Sequence, residues 1–325
     1  MVLVTGATGL VGTQICKYLV EENIPCKALK RPTSTIDKDL INTVTWIEGD
    51  VLDIHSVEEA LEDVDTVIHA AALISFYSKE FDRMNEVNVY GTANMINAAL
   101  RANVDRFVYI SSVSALGKAK NKGPANENTL WVKSTDISHY AESKYFAELE
   151  VWRGKEEGLS TVILNPSVVL GPGNWNTSST RLFKYVWDEG LFYPGGTFNY
   201  LDLRDLAKAT LQLMRSHVEG ERFILSAGSI SYKTFFEMAA DAFNKKPPPF
   251  KLTPLSAAFV LITERIKSLF SRTPPRVSKE SLQFSNVQYD YDNTKIKKYL
   301  DFDFTSIKDT IAWTCELLKR DNVNN

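Results

Sequence analysis

The sequence has few cysteines and no pattern typical of a metal site. Its three cysteines, Cys16, Cys26 and Cys315, are widely spaced in 325 residues, and none belongs to a CxxC pair or lies beside a histidine cluster. An odd, scattered set of thiols predicts neither a disulfide framework nor a zinc site. We therefore expect a protein without a metal that folds in a reducing compartment, the cytoplasm.

Long apolar runs and an excess of either charge are also missing. The opening MVLVTG has no basic region or cleavage site, and the longest clearly apolar run elsewhere, residues 255–262, is far shorter than a membrane span. The 37 basic and 40 acidic side chains leave a net charge of -3, which does not draw the whole chain to nucleic acid or anionic lipid. We expect no nucleic-acid partner and no membrane span.

The first half of the chain alternates short β-branched runs with segments of helical periodicity. Predicted helices cover residues 56–62, 80–102 and 140–157. The predicted strands are Met1 to Thr5, Cys26 to Lys30, Val44 to Glu48, Thr66 to Ala70, Phe107 to Ser111 and Thr161 to Asn165. This alternation predicts an α/β fold with a doubly wound parallel sheet, the Rossmann arrangement.

Turn-forming residues become frequent after Pro166, for example in GPGN at 171–174 and PPP at 247–249. We predict a dinucleotide-binding Rossmann domain over 1–168 and a smaller C-terminal substrate-binding domain over 169–325. A helix starting near Leu203 and a strand-like run at 222–226 suggest that 198–226 returns to the first domain. The amphipathic segment 255–270 is compatible with a packed helix, a lid or a membrane-surface contact.

A glycine-rich loop, GATGLVG, follows the first strand and opens the first helix. Gly6 permits the tight turn, Gly9 lets the backbone approach a pyrophosphate, and Gly12 lets the helix pack close to the strand. The free N–H groups and positive dipole end of a helix favour the phosphates. The loop residues expected to contact the dinucleotide are Gly6, Thr8, Gly9, Leu10, Val11 and Gly12.

The second strand ends in Lys30 and Arg31, where an acidic residue would bind the 2′-hydroxyl of NAD. Two cations attract a 2′-phosphate instead, so NADP(H) is favoured over NAD. A solvated strand end is the alternative interpretation of both residues. Asp50 and Val51 follow the third strand, and Asp50 is suited equally to an adenine contact or to a turn.

The segment YAESK places Tyr140 and Lys144 on one helix face. A cation about 4 Å from a phenol would lower its pKa by about three units, which makes a useful acid or base near pH 7. The segment YDNTK, from Tyr291 to Lys295, has the same spacing. We favour Tyr140 because it follows the fifth predicted strand and its loop, where Ser111, Ser112 and Ser114 supply hydroxyls at the ligand-binding edge of such a sheet.

Together these motifs resemble the extended short-chain dehydrogenase/reductase superfamily, within it the branch of dihydroflavonol 4-reductases and 3β-hydroxysteroid dehydrogenases. The resemblance is strongest over residues 1–170 and is weaker in the second domain, in YLDLRDLAKA and a closing helix around 305–319. The motifs that carry it in the first part are GATGLVG, GDV, HAAA, NVYGTAN, YISSVSALG, YAESK and NPSVVLGPG.

The resemblance implies a role for individual residues. Tyr140 would be the proton donor and acceptor, Lys144 would hold the nicotinamide ribose and lower the tyrosine pKa, and Ser112 would bind the substrate oxygen. Ser114 would touch substrate, and Asp205 would mark the return of the chain to the site or cap a helix. Further residues expected near the cofactor or the lysine are Ala70, Ala71, Asn88, Pro166, Ser167 and Val168.

The sequence thus favours an NADP(H)-dependent oxidoreductase that reduces a carbonyl, or oxidises the alcohol, of a small apolar or aromatic substrate. The alternatives are an NAD-dependent sugar-nucleotide epimerase or dehydratase and a non-catalytic dinucleotide-binding sensor. The helices predicted at 80–102 and 140–157 could pair across a twofold axis, so we expect a homodimer.

Overall fold

The structure is a computed structural model, and it describes residues 1–75, 77–117, 123–132, 137–254, 256–257 and 290–323. Its main feature is a seven-stranded parallel sheet in the order β10-β6-β5-β4-β1-β2-β3. The seven strands are β1 (Val2–Thr5), β2 (Cys26–Lys30), β3 (Thr45–Glu48), β4 (Thr66–His69), β5 (Arg106–Ile110), β6 (Thr161–Pro166) and β10 (Glu221–Leu225). The predicted Rossmann-like α/β fold is confirmed.

Helices cover both faces of this sheet because its strands are apolar on both sides. Val4 faces a core that includes Ile15 and Leu206, whereas its neighbour Leu3 faces a second core with Met95 and Val151. The helices of these two layers are α1 (Leu10–Glu21), α2 (Ile54–Ala60), α3 (Phe81–Asn85), α4 (Gly91–Arg101), α5 (His139–Glu156), α7 (Leu203–Met214) and α9 (Thr294–Leu300). A π turn at Glu86–Tyr90 joins α3 to α4, and short 3₁₀ turns occur at Ser78–Glu80 and Val113–Leu116.

A third core lies in the C-terminal part of the chain. Phe183, Phe235 and Leu318 are fully buried in it. Its helices are α6 (Thr180–Trp187), α8 (Tyr232–Phe243) and α10 (Ile307–Val323), and its strands are β7 (Val168–Leu170), β8 (Phe192–Tyr193), β9 (Thr197–Asp202), β11 (Gly228–Ser231) and β12 (Phe250–Lys251). The strands form one three-stranded and one two-stranded sheet.

After β9 and α7 the chain returns to the main sheet. Strand β10 pairs in parallel with β6, with Leu225 opposite Pro166, and so completes one edge of the sheet. Most of the segment 255–270 lies outside the described residues. Within the described part of the chain, no helix is long and apolar enough to cross a membrane.

Candidate active site

The glycine loop at the carboxyl end of β1 has no room for a side chain at Gly6 or Gly12. Gly6 has a φ of 67°, and a Cβ there would lie 2.6 Å from the carbonyl oxygen of Ala70. A Cβ on Gly12 would collide with the carbonyl oxygen of Gly6. The Gly9 N–H donates to Gly6 O at 2.9 Å, and Gly9 caps α1 without any side-chain hydrogen bond to the first amides. This tight turn before an uncapped helix fits the close approach of a dinucleotide pyrophosphate.

The end of β2 lies at the same edge, since Thr5 and Leu29 are in register. There Lys30 forms an ion pair with Glu48 at the end of β3, with 3.1 Å between Lys30 Nζ and Glu48 Oε2. Arg31 is exposed. The two cations are therefore not equivalent, and Arg31 is the one whose charge faces solvent without this nearby carboxylate.

Asp50 and Val51 have structural contacts in the loop after β3. Asp50 Oδ1 accepts a hydrogen bond from the Leu52 N–H at 3.0 Å, which is the contact of a turn residue, and the adenine contact stays a prediction. Val51 is buried, and its carbonyl oxygen accepts from Asn94 Nδ2 at 3.0 Å. These contacts fix the loop that follows β3 against α4, which carries Asn94.

Ser112, Ser114 and Tyr140 come together beyond the carboxyl end of β5. Ser112 caps the 3₁₀ turn that follows, and Ser114 Oγ donates to Ser112 Oγ at 2.8 Å. Ser138 Oγ accepts from the Ala141 N–H and so starts α5, which places Tyr140 in its first turn. The Tyr140 side chain lies beside that of Ser112, close enough for the serine to lower the pKa of the phenol. The structure thus joins the two hydroxyls that sequence reasoning selected.

The acidity expected of Tyr140 is corrected by the structure. Burial raises the pKa of Tyr140 to about 12, and the hydrogen bond to Ser112 lowers it only in part. The expected lowering assumed a direct contact with the ammonium of Lys144. Lys144 Nζ instead donates to Tyr109 Oη and to the Ile110 carbonyl oxygen, each at 2.8 Å. Burial also lowers the pKa of Lys144 to about 7, against the opposing effect of Glu148.

Glu148 continues the face of α5 that carries Tyr140 and Lys144, and the sequence analysis did not identify it. Its side chain is almost fully buried and its carboxylate accepts from Ser111 Oγ at 2.5 Å and Asn165 Nδ2 at 2.6 Å. Ser111 therefore points to α5 rather than to the loop hydroxyls. The i, i+4, i+8 spacing of the three α5 residues is the signal that could have revealed it.

Two asparagines tie the elements around these residues together. Asn165 Nδ2 also donates to the Ser112 carbonyl oxygen at 2.9 Å, which links β6 to the loop after β5. Asn88, in the π turn, donates to Ser143 Oγ at 2.9 Å, next to Lys144 in the chain. Its Oδ1 accepts from the Leu73 N–H at 2.7 Å.

The chain beyond β6 passes the same edge of the sheet. Pro166 ends β6, Val168 begins β7 and is partly exposed, and Ser167 lies between them. Ser167 Oγ is buried without a hydrogen-bond partner among the described residues. Ala71 N–H donates to Thr5 Oγ1 at 3.3 Å, so the HAAA segment packs against the glycine loop. An unsatisfied hydroxyl at this edge fits a polar ligand group such as a carboxamide.

Two residues outside this group have structural roles. Asp205 does not cap α7, because Asp202 does so by accepting from the Arg204 N–H at 2.8 Å. Asp205 instead accepts from the N–H and hydroxyl of Thr305. Lys295 of the second Tyr-Lys segment pairs with Glu221 at the amino end of β10, the opposite edge of the sheet.

No group of three or more metal-ligating side chains occurs in the described ranges of the chain. The groups brought together at this edge are hydroxyl, phenol, ammonium, carboxylate and backbone groups, with the glycine turn on one side and Ser112 and Tyr140 on the other. Such an arrangement can bind a dinucleotide and transfer a proton to or from an oxygen next to it.

Comparisons with known proteins agree with this geometry. Residues 2–226 match the NAD dependent epimerase/dehydratase family. The chain is 28% identical over 317 residues to a putative dihydroflavonol 4-reductase of Synechocystis sp., covering 95% of this chain and 92% of that protein. It is 27% identical over 337 residues to cinnamoyl-CoA reductase 1 of Petunia hybrida, covering 98% and 92%. The crystal structure of gox2253 superimposes with a TM-score of 0.82 at 29% identity, covering 99% and 98%. The chain belongs to the NAD dependent epimerase/dehydratase family, and it is an NAD(P)-dependent oxidoreductase of the extended short-chain dehydrogenase/reductase type.

Proposed function

We propose that this protein is an NADP(H)-dependent reductase that converts a carbonyl to an alcohol, or the reverse, through Ser112, Tyr140 and Lys144. The observation that carries the proposal is the position of the Tyr140 phenol beside the Ser112 hydroxyl at the ligand-binding edge of the sheet. The names of the two curated relatives support a reductase.

The protein's own residues perform the proton transfer in this proposal. Ser112 donates a hydrogen bond to the substrate oxygen, and Tyr140 gives its proton to the same oxygen as negative charge develops there. The raised pKa of Tyr140 keeps the phenol protonated at neutral pH, which suits the reducing direction. A bound nicotinamide would supply or accept the hydride.

Other residues hold these groups in place. Lys144 has a third N–H beyond those given to Tyr109 and Ile110, and this N–H would bind the nicotinamide ribose. Ser114 donates to Ser112 and so directs the proton of the Ser112 hydroxyl toward the substrate side. The unpartnered Ser167 hydroxyl would receive the nicotinamide amide between Pro166 and Val168.

The preference for NADP(H) rests on Arg31 more than on Lys30. The pair with Glu48 neutralises part of the charge of Lys30, whereas Arg31 is exposed and carries a guanidinium suited to a phosphate. Arg31→Ala should weaken NADPH binding by about tenfold and leave NADH binding unchanged, because one charge-assisted contact is lost. Fluorescence titrations with both nucleotides would check this, with Lys30→Ala as the variant of smaller effect.

The first experiment is a screen followed by one substitution. NADPH oxidation is measured with flavonoid, steroid and small aldehyde carbonyls, and the best substrate is then used with Tyr140→Phe. We expect NADPH binding to persist and turnover to fall by at least about 100-fold. Tyr291→Phe, in the second Tyr-Lys segment, is the matched control. Near-normal turnover by Tyr140→Phe would disprove the assignment of the catalytic tyrosine.

The second candidate is a sugar-nucleotide epimerase or dehydratase that oxidises and reduces one substrate in turn. The description of the family and the pairing of Lys30 with Glu48 favour it. Such an enzyme would retain NAD through purification and show no preference for a 2′-phosphate. A sensor would bind the nucleotide but give no turnover with either substrate class. Analysis of nucleotide released from the purified protein separates the three.

We also propose that the protein is a cytoplasmic homodimer. Tyr90, Phe146 and Leu149 are exposed on the π turn and α5, where two copies of the long helices could pack together. The three cysteines are free thiols, as a reducing compartment requires. Light scattering of the wild type and of Leu149→Glu would test the dimer, and cell fractionation would test the compartment.

A further inference from the structure

A row of polar side chains crosses the sheet just beneath the proposed site. Thr5 ends β1 in register with His69 at the end of β4, and His69 is in register with Tyr109 on β5. All three are fully buried. The rings of His69 and Tyr109 stack with centroids 5.6 Å apart. The row lies on the side of the sheet covered by α4 and α5, from which Thr92 and Lys144 reach it.

The donors and acceptors in this row can be assigned by elimination. Thr92 Oγ1 has one proton, and it goes to the Asn88 carbonyl oxygen at 2.6 Å, which can only accept. His69 Nε2, 3.1 Å from Thr92 Oγ1, must therefore donate to it. His69 Nδ1 then accepts from the Thr5 hydroxyl at 2.6 Å. Burial and the charge of Lys144 lower the pKa of His69 to about 3, consistent with this neutral tautomer.

The phenol of Tyr109 completes the row. Burial raises its pKa well above the usual value, so the phenol is protonated at neutral pH. Its oxygen accepts a hydrogen bond from Lys144 Nζ at 2.8 Å. The ammonium also lies 4.4 Å from the centre of the Tyr109 ring, a favourable cation–π distance. The phenol therefore presents only an acceptor to Lys144.

We propose that Tyr109 is a positioning residue, which anchors the Lys144 ammonium through its phenol oxygen. This rests on the proposed role of Lys144 at the nicotinamide ribose. The anchor fixes where the remaining N–H of Lys144 points and favours the charged lysine over the neutral amine. The His69 ring, held by Thr5 and Thr92, supports the anchor by stacking on the ring of Tyr109.

The groups that surround Lys144 define what the anchor does to its charge. Glu148 lies one helical turn away on α5 and favours the ammonium, whereas burial opposes it. His69, on β4, is neutral, and Tyr140, on α5, is protonated at neutral pH because its pKa is raised to about 12. The two neutral acceptors of Lys144 are the Ile110 carbonyl oxygen and the Tyr109 phenol, and a substitution can remove the phenol without removing a charge.

The test is the titration of Lys144 itself. Protein labelled with ¹³C at lysine Cε is titrated by NMR, and Lys144→Arg identifies the signal. Tyr109→Phe keeps the ring and removes the acceptor, so we expect the pKa of Lys144 to fall by about one to two units, the usual effect of one hydrogen bond to a charged group. Tyr299→Phe, the same change on an exposed ring of α9, should leave this pKa unchanged.

NADPH affinity gives a second measurement of the same effect. With a pKa near 7, about half of Lys144 is charged at pH 7, and a decrease of one unit leaves about one tenth charged. Tyr109→Phe should therefore weaken NADPH binding about fivefold at pH 7 and very little at pH 5. A merely structural defect would weaken binding at both pH values.

Tyr109→Met provides a second variant if Tyr109→Phe does not fold. It removes both the phenol acceptor and the ring beneath the ammonium, so the pKa of Lys144 should fall in the same direction. A Lys144 pKa within about 0.3 unit of the wild-type value in the folded variants would overturn the inference. If Lys144→Met binds NADPH as the wild type does, the proposed function fails instead. Loss of binding in Lys144→Met with unchanged titration in Tyr109→Phe rejects only the role of Tyr109.

Discussion

The chain contains two tyrosine-lysine pairs of identical spacing, and the sheet places them at opposite edges. Lys144 is almost fully buried beyond the carboxyl end of β5 and donates to a phenol and a backbone carbonyl. Lys295 is partly exposed and pairs with Glu221 at the amino end of β10. The i, i+4 spacing of a tyrosine and a lysine therefore does not by itself indicate a catalytic pair. What matters is whether their helix lies at the carboxyl end of the parallel strands, where ligands bind.

Removing each lysine in turn tests whether the two pairs differ in function. Lys144→Met should lower kcat/KM for the screened carbonyl by at least about 100-fold, because the ribose contact and the nearby charge are lost. Lys295→Met should change kcat/KM by less than about twofold, since an exposed ion pair contributes little. Steady-state kinetics and melting temperatures check both variants. Equal losses would show that the two pairs do not differ in the way proposed.

The carboxylate beside each lysine extends the comparison to stability. Glu148 is 1% exposed and pairs with Arg222 at 3.2 Å, whereas Glu221 is 52% exposed. Glu148→Gln should lower the free energy of unfolding by about 2–4 kcal/mol, because Arg222 loses its charged partner in a buried setting. Glu221→Gln should cost less than about 1 kcal/mol. Urea unfolding of both variants at pH 7 measures this, and similar losses in the two would contradict the difference in burial.

The smallest expected effect concerns pH and the buried row beneath Lys144. The pKa of His69 is about 3 in the folded protein and 6.5 in its reference state. Below pH 6.5 the unfolded chain binds a proton that folded His69 does not, so folding stability falls as the pH decreases. The loss is about 1.5 kcal/mol between pH 6.5 and pH 5.

Urea unfolding at the two pH values should show a pH dependence weaker by this amount in His69→Gln than in the wild type. His217→Gln, at an exposed position in the loop before β10, is the control and should keep the wild-type dependence. An identical pH dependence in all three proteins would show that His69 is not isolated from water.

Much of the main sheet could be predicted from the sequence because its strands are short apolar runs, several of them rich in β-branched residues, that alternate with helical segments. Cys26–Lys30 was predicted to the residue, and β5 was predicted to within one residue at each end. The short strands β7, β8, β11 and β12 were not predicted, since they lie in the part of the chain where turn-forming residues interrupt the pattern. The domain boundary at residue 168 stays a prediction.

Within the site, the sequence indicated the hydroxyls and the lysine but not the partners that orient them. In the sequence, Tyr109 is indistinguishable from any aromatic residue of a buried strand. Its role becomes visible only in the structure, where it is in register with His69 and accepts a hydrogen bond from Lys144. The direction of the Tyr140 pKa was wrong for the same reason. Helical spacing brings two side chains to one face, but it does not show which neighbouring group each side chain hydrogen-bonds.

Strand β10 limits how this chain can be cut. A truncated chain that stops at residue 168 would lack residues 221–225, which pair with β6, and would leave the backbone groups of β6 uncovered along a hydrophobic border. It would also lose α7, whose Leu206 packs in the core with Ile15 of α1. An unpaired hydrophobic sheet edge promotes self-association. The nucleotide-binding half should therefore precipitate when it is expressed alone, and a chain that extends to residue 226 should stay in solution.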